Sequence, residues 1–125
     1  MAINWGFVTI FLLSGTTAVF GNMLLKAGMN SLGGFEIEAK TLLATILRFA
    51  TSWQIVIGVG FYVFSLFLYL KLLSLGELTR IYPAVVSYMF IMLLIFGGLF
   101  LKESVTFTKV LGIAIIVLGI FLASR

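Results

Sequence analysis

The chain has 125 residues, of which 62% are hydrophobic and 10% charged; eight Lys or Arg and four Asp or Glu leave a formal net charge of +4. A soluble domain carries about a quarter charged residues, so this composition excludes an ordinary water-soluble fold. Cysteine and histidine are absent, which removes thiol chemistry, disulfides and most transition-metal ligands and argues against an enzyme or a bound cofactor. The basic residues are spread along the chain and form no patch for a nucleic acid.

Four uncharged apolar runs, residues 5–25, 55–70, 81–101 and 110–124, predict four membrane spans. A spanning helix needs roughly 20 apolar residues, and a charge at the bilayer centre costs about 2.5 kcal/mol or more. The two shorter runs reach full length through flanks in which Lys71 and Lys109 can snorkel to the interface. The acids Glu36, Glu38, Glu77 and Glu103 all lie between the runs, so no span holds a proton-carrying carboxylate. The first run lacks a basic leader and exceeds the h-region of about 7 to 15 residues typical of a signal peptide, so it reads as a span.

Within the first run, Ser14, Thr17, Ala18 and Gly21 share a helical face, with Gly15 and Asn22 beside it. A small, polar face serves either close helix contact or a watery cavity, and the spacing leaves both open. The connection over residues 26–52 divides into a turn around Asn30, Ser31, Gly33 and Gly34 and a periodic stretch over residues 36–49. There Leu42, Leu43, Ile46, Leu47 and Ala50 oppose Thr41, Thr45, Arg48 and Ser52, which predicts a short helix in the membrane interface or a solvated extension of the second span.

The second run repeats the one-faced pattern with Gly58, Tyr62, Ser65 and Tyr69. Tyr62 falls near mid-span, where its hydroxyl requires a hydrogen-bond partner or water, so this face suits a polar cavity. A tight connection over residues 74–80 predicts an antiparallel hairpin. The third run begins Arg80-Ile81-Tyr82-Pro83, with proline expected in the first helical turn, where its missing amide costs little. Arg80 is either an interfacial anchor or a fork for a phosphate or carboxylate.

After a short connection over residues 102–109, the fourth run places Gly112 and Gly119 on one face, a spacing that supports helix contact within or between chains. The expected fold is therefore an all-α integral membrane domain over residues 1–125. It is a four-helix transmembrane bundle with a short interfacial helix between spans one and two and both termini on one side. Connections one and three carry five basic residues against three elsewhere. This small bias favours those connections in the cytoplasm and is compatible with dual insertion.

The order of these residues resembles the drug/metabolite transporter superfamily, in the single-module, four-helix branch that includes the small multidrug resistance proteins. The resemblance rests on Gly21-Asn22-Met23-Leu24-Leu25-Lys26 closing span one, Tyr62 and Ser65 in span two, Tyr82 opening span three, and the Gly112 to Gly119 pattern in span four. Two features depart from the proton-coupled cation exporters of that branch. No glutamate stands between Leu12 and Ala18, and Ser87, Tyr88 and Met89 replace a glycine-rich hinge. EamA-like small transporters that include the subunits of the aminoarabinose-phosphoundecaprenol flippase are more similar. They share the Gly21 to Lys26 ending, the Tyr82-Pro83 opening and the Leu101-Lys102-Glu103 turn.

That resemblance implies a transporter or flippase in a bacterial-type inner membrane, working by alternating access as an antiparallel homodimer or with a paired homologous subunit. Its expected substrate is a lipid-linked or otherwise anionic amphiphile. Lys26 and Arg80 are the candidate head-group residues at opposite membrane faces, unless they merely snorkel. Asn22, Tyr62, Ser65 and Tyr82 are the candidate path, and Gly112 and Gly119 the candidate dimer contact. Two alternatives stand beside it: an exporter of small organic cations or metabolites, and an accessory membrane subunit without transport of its own.

Overall fold

The computed structural model describes residues 4–33 and 39–125, and all regular structure among them is helical. The elements are α1 (Trp5–Leu32), α2 (Leu42–Thr51), α3 (Trp53–Leu73), α4 (Leu78–Phe100) and α5 (Phe107–Ala123). By length and composition, α1, α3 and α4 can each cross a membrane, whereas α5 has 17 residues and falls among the shorter apolar helices.

Helix α1 starts where the Asn4 side chain accepts the Phe7 amide, and ends at Gly33, whose φ of 74° is the left-handed cap conformation that glycine adopts without strain. The turn expected from Asn30 and Ser31 is therefore a continuation of the helix. Tertiary contacts explain the difference: Gly28 packs on Ile55, and the Ser31 hydroxyl donates to Gln54 Oε1 at 3.1 Å. Lys26 consequently sits inside a helix and not at its end.

The short second helix exists, shifted towards the C-terminus of the stretch expected for it; Glu36 and Glu38 lie outside the described residues. Arg48 donates to the Leu32 carbonyl at 2.9 Å, satisfying one acceptor at the end of α1. Leu42, Leu43, Ile46 and Leu47 are all exposed. A single extended residue, Ser52, separates α2 from α3 and redirects the chain.

Helices α1 and α3 pack antiparallel along most of their length, because small residues recur where they meet. An added Cβ on Gly21 would lie 3.1 Å from the Gly58 carbonyl oxygen, and one on Gly58 would lie 3.1 Å from the Gly21 carbonyl oxygen. The absence of a Cβ at both positions permits that mutual backbone approach, since a side chain at either would crowd the opposite carbonyl. Midway along, the Ser65 hydroxyl donates to the Ser14 carbonyl at 2.7 Å, and the Ser14 hydroxyl donates to the Ser65 carbonyl at a longer 3.5 Å.

Helix α4 runs parallel to α1. Leu72, Ile81 and Val85 form a buried cluster with Phe7, Ile10 and Phe11 at one end, and Phe20 meets Phe96 towards the other. Gly15 admits the Tyr88 ring, whose hydroxyl lies 2.8 Å from Thr16 Oγ1. Because α4 begins at Leu78, Pro83 lies beyond the first turn and leaves the Thr79 carbonyl without its usual amide donor. Ser87 back-bonds to the Pro83 carbonyl at 2.8 Å in the following turn.

After α4, Lys102 takes a φ of 52°, Glu103 donates its amide to the Gly97 carbonyl at 3.2 Å, and Val105 folds over Gly98. Thr106 then caps α5 by accepting the Lys109 amide at 3.3 Å. Helix α5 contacts α4 alone and buries none of its residues.

Candidate functional site

A groove of about 740 Å³ runs between α1, α3 and α4. From α1 come Ser14, Ala18, Asn22 and Leu25; from α3, Val59, Tyr62, Val63, Ser65, Leu66 and Tyr69; from α4, Tyr82, Val85, Val86 and Met89. Helices α3 and α4 make little contact beyond their joining turn, so the groove lies open between them. Its walls are mostly apolar and include no charged residue. A volume in this range suits a small ligand or one chain of an amphiphile, since ligand pockets typically enclose about 300–1,000 Å³.

The polar groups in the groove are arranged by helical period. Ser14 and Ser65 face each other across the α1–α3 contact, with each hydroxyl engaged by the opposite backbone. About two turns further along α1, Tyr62 donates its hydroxyl to Asn22 Oδ1 at 3.3 Å. At the opposite end the rings of Tyr69 and Tyr82 meet edge to face, with centroids 6.4 Å apart. The Asn22 amide nitrogen and the Tyr69 and Tyr82 hydroxyls have no hydrogen-bond partner among the described residues. The groove therefore offers spare donors near both ends.

Four of the expected site residues, Asn22, Tyr62, Ser65 and Tyr82, line this one groove. Lys26 and Arg80 do not line it. They stand just outside its opposite ends: Lys26 follows Leu25, and Arg80 lies two residues before Tyr82. Since Phe7 packs against the cluster that includes Ile81, the 19 residues from Phe7 to Lys26 set the two basic levels about 28 Å apart at roughly 1.5 Å per residue. Arg80 Nε lies 3.5 Å from Glu77 Oε2, and both side chains are largely exposed.

Gly112 and Gly119 lie away from the groove on α5, and an added Cβ at either would meet nothing within 4 Å. They make no helix contact inside this chain. A second, smaller apolar trough between α4 and α5 is lined by residues including Ile91, Leu94, Ile113 and Val117. No group of three or more acidic, histidine or cysteine side chains that could hold a metal occurs among the described residues.

Tyr69 joins the expected site residues in the groove, and its spacing from Gly58, Tyr62 and Ser65 on one face is the signal that marks it in the sequence. The α4 wall, Val85, Val86 and Met89, carried no signal, because an apolar groove wall, a core residue and a lipid-facing residue use the same side chains. No protein-family model, curated protein or solved structure matches the chain.

Proposed function

We propose that this chain is a small multi-pass membrane transporter or flippase of the EamA-like, small-multidrug-resistance-like kind, moving a lipid-linked or anionic amphiphile across a bacterial-type inner membrane. One observation carries the reading: a neutral, mainly apolar groove lies open on the side between α3 and α4, with a basic residue beyond each end. An apolar tail entering sideways from lipid meets Val59, Val63, Leu66 and Val86. An oxyanion head group meets Arg80 near Tyr69 and Tyr82 at one end, or Lys26 near Asn22 at the other.

In this reading α5 is the fourth span, its 17 residues lying at the short limit of about 17–25 for a crossing helix. Helix α2 lies in the interface with Leu43, Ile46 and Leu47 towards the acyl chains. The bare α5 face bearing Gly112 and Gly119 receives an antiparallel second copy or a homologous subunit. An antiparallel pair would place a lysine of one protomer and an arginine of the other on each membrane face, and exchange between two equivalent conformations would give alternating access.

The test is reconstitution of the purified chain in liposomes carrying a fluorescent phosphate-bearing amphiphile in one leaflet. Protein-dependent exchange between leaflets is expected, reduced about three- to tenfold by Arg80→Ala, since a charge-assisted hydrogen bond at a partly exposed site contributes modestly. Equal exchange in protein-free liposomes would sink the proposal.

The three tyrosines lining the groove support a second reading, export of small organic cations, because aromatic faces attract cations without a carboxylate. Tightly coupled proton/cation exchange by the purified protein would select it over the first.

A further inference from the structure

Among the described residues one ion pair is formed, between Arg80 and Glu77 one helical turn before it, and it stands at the Tyr82 end of the groove. We propose that Glu77 is a built-in competitor for the anion site, holding the Arg80 guanidinium until an oxyanion head group displaces its carboxylate. The inference rests on the preceding reading, in which Arg80 receives that head group.

Three features fit Glu77 to such an exchange. The pair is exposed, at 71% and 72% for the two side chains, so it is weak enough to give way to a head group whose tail is already held in the groove. Its partner is the guanidinium that an incoming phosphate or carboxylate would engage, so the two anions compete directly.

The displaced carboxylate also has a second favourable position. Glu77 is the N-cap residue of α4, yet its side chain makes no capping bond. Its carbonyl accepts the Arg80 and Ile81 amides, while the preceding helical amides of Leu78 and Thr79 have no acceptor within the helix. These amides and the positive end of the helix dipole favour a carboxylate there. Glu77 therefore exchanges one favourable contact for another as the head group arrives, and reclaims Arg80 as it leaves. The consequence is an end of the groove that binds anions less tightly than a bare guanidinium would, and releases them more readily.

The experiment titrates dodecyl phosphate into the full-length chain in phosphatidylcholine nanodiscs, with empty discs subtracted. Glu77→Gln is expected to bind about two- to fivefold more tightly than the wild type, the scale set by an exposed ion pair. The gain should vanish when Arg80→Ala is added. Glu103→Gln removes the same charge at another site and should show no gain.

Failure of the two ideas is separable. If Arg80→Ala weakens binding and Glu77→Gln does not strengthen it, competition by Glu77 is overturned while the anion site stands. If Arg80→Ala leaves binding unchanged, the anion site itself falls and the competitor with it. An equal gain in Glu103→Gln would reduce the effect to net charge and likewise overturn the proposal.

Discussion

Helix α3 has two sides that solve opposite problems. Towards α1 it presents Gly58 and Ser65, both buried, and closes a seam in which backbones touch and hydroxyls bond across. Beside that seam Val59, Val63 and Leu66 border the groove left towards α4, which Tyr62, on the seam face and bonded to Asn22, borders as well. In a membrane, apolar bulk provides little drive for helices to associate, because lipid is equally apolar. Close approach of small residues and hydrogen bonds supply that drive instead. The seam has both, whereas the α3–α4 side has bulky side chains and a ring contact near the turn. A closed α1–α3 seam beside an open α3–α4 side is thus written into side-chain size.

The sharpest way to break this contrast is to enlarge the seam. Gly58→Val would force a branched side chain against the Gly21 carbonyl oxygen, Leu24 Cβ and the Leu25 amide, each already 3.1 Å from an added Cβ. An overpacking loss of about 1–3 kcal/mol or more is expected, read as a lowered Tm in detergent. The same change at Gly60, where an added Cβ would meet nothing within 4 Å, should leave Tm nearly unchanged.

On the open side enlargement should act on function and not on folding. Val63→Trp places a bulky ring into the groove from a half-exposed position. Amphiphile exchange in liposomes is expected to fall more than about tenfold, the scale of losing a buried apolar contact of about 1.5 kcal/mol or more, with Tm preserved. A Tm that falls as far as for Gly58→Val would erase the distinction between the two sides.

The smallest effect belongs to the hydroxyl pair. Ser65→Ala removes the 2.7 Å bond to the Ser14 carbonyl and should cost about 0.6–1 kcal/mol, in line with interhelical hydrogen bonds in membranes. Exchange should change little, since the groove keeps its shape. A large loss of exchange at unchanged Tm would make Ser65 a substrate contact and not part of the seam.

The seam and groove were partly legible in the sequence. Offsets along residues 14–21 and 58–69 identified which faces of α1 and α3 are polar and small, and those faces do meet. Whether such a face packs or lines a cavity was undecidable from spacing alone, and the structure shows why: Ser14, Ala18 and Ser65 do both, buried against a neighbour while bordering the groove. The apolar runs located α1, α3, α4 and α5 but misjudged where α1 stops. Asn30, Ser31 and Gly33 have turn chemistry, and the helix persists through the first two because α3 holds it from the side. Lys26 and Arg80 were legible as residues near opposite ends, but their exclusion from the groove lining depends on side-chain direction, which spacing does not specify.

The continuation of α1 past Lys26 has a consequence for the membrane around it. A lysine at a frayed helix end adjusts its depth freely, whereas this one is mounted on an uninterrupted helix, and α4 packs along that helix from Ile81 to Phe96, which sets the height of Arg80 relative to it. This packing turns the distance between the two basic levels into a fixed length close to one hydrocarbon thickness. A thicker bilayer has to thin locally around the protein, and a thinner one has to be met by tilt. Under the proposed function, the helix that shapes one wall of the groove also sets the bilayer thickness in which both basic levels would reach the head groups.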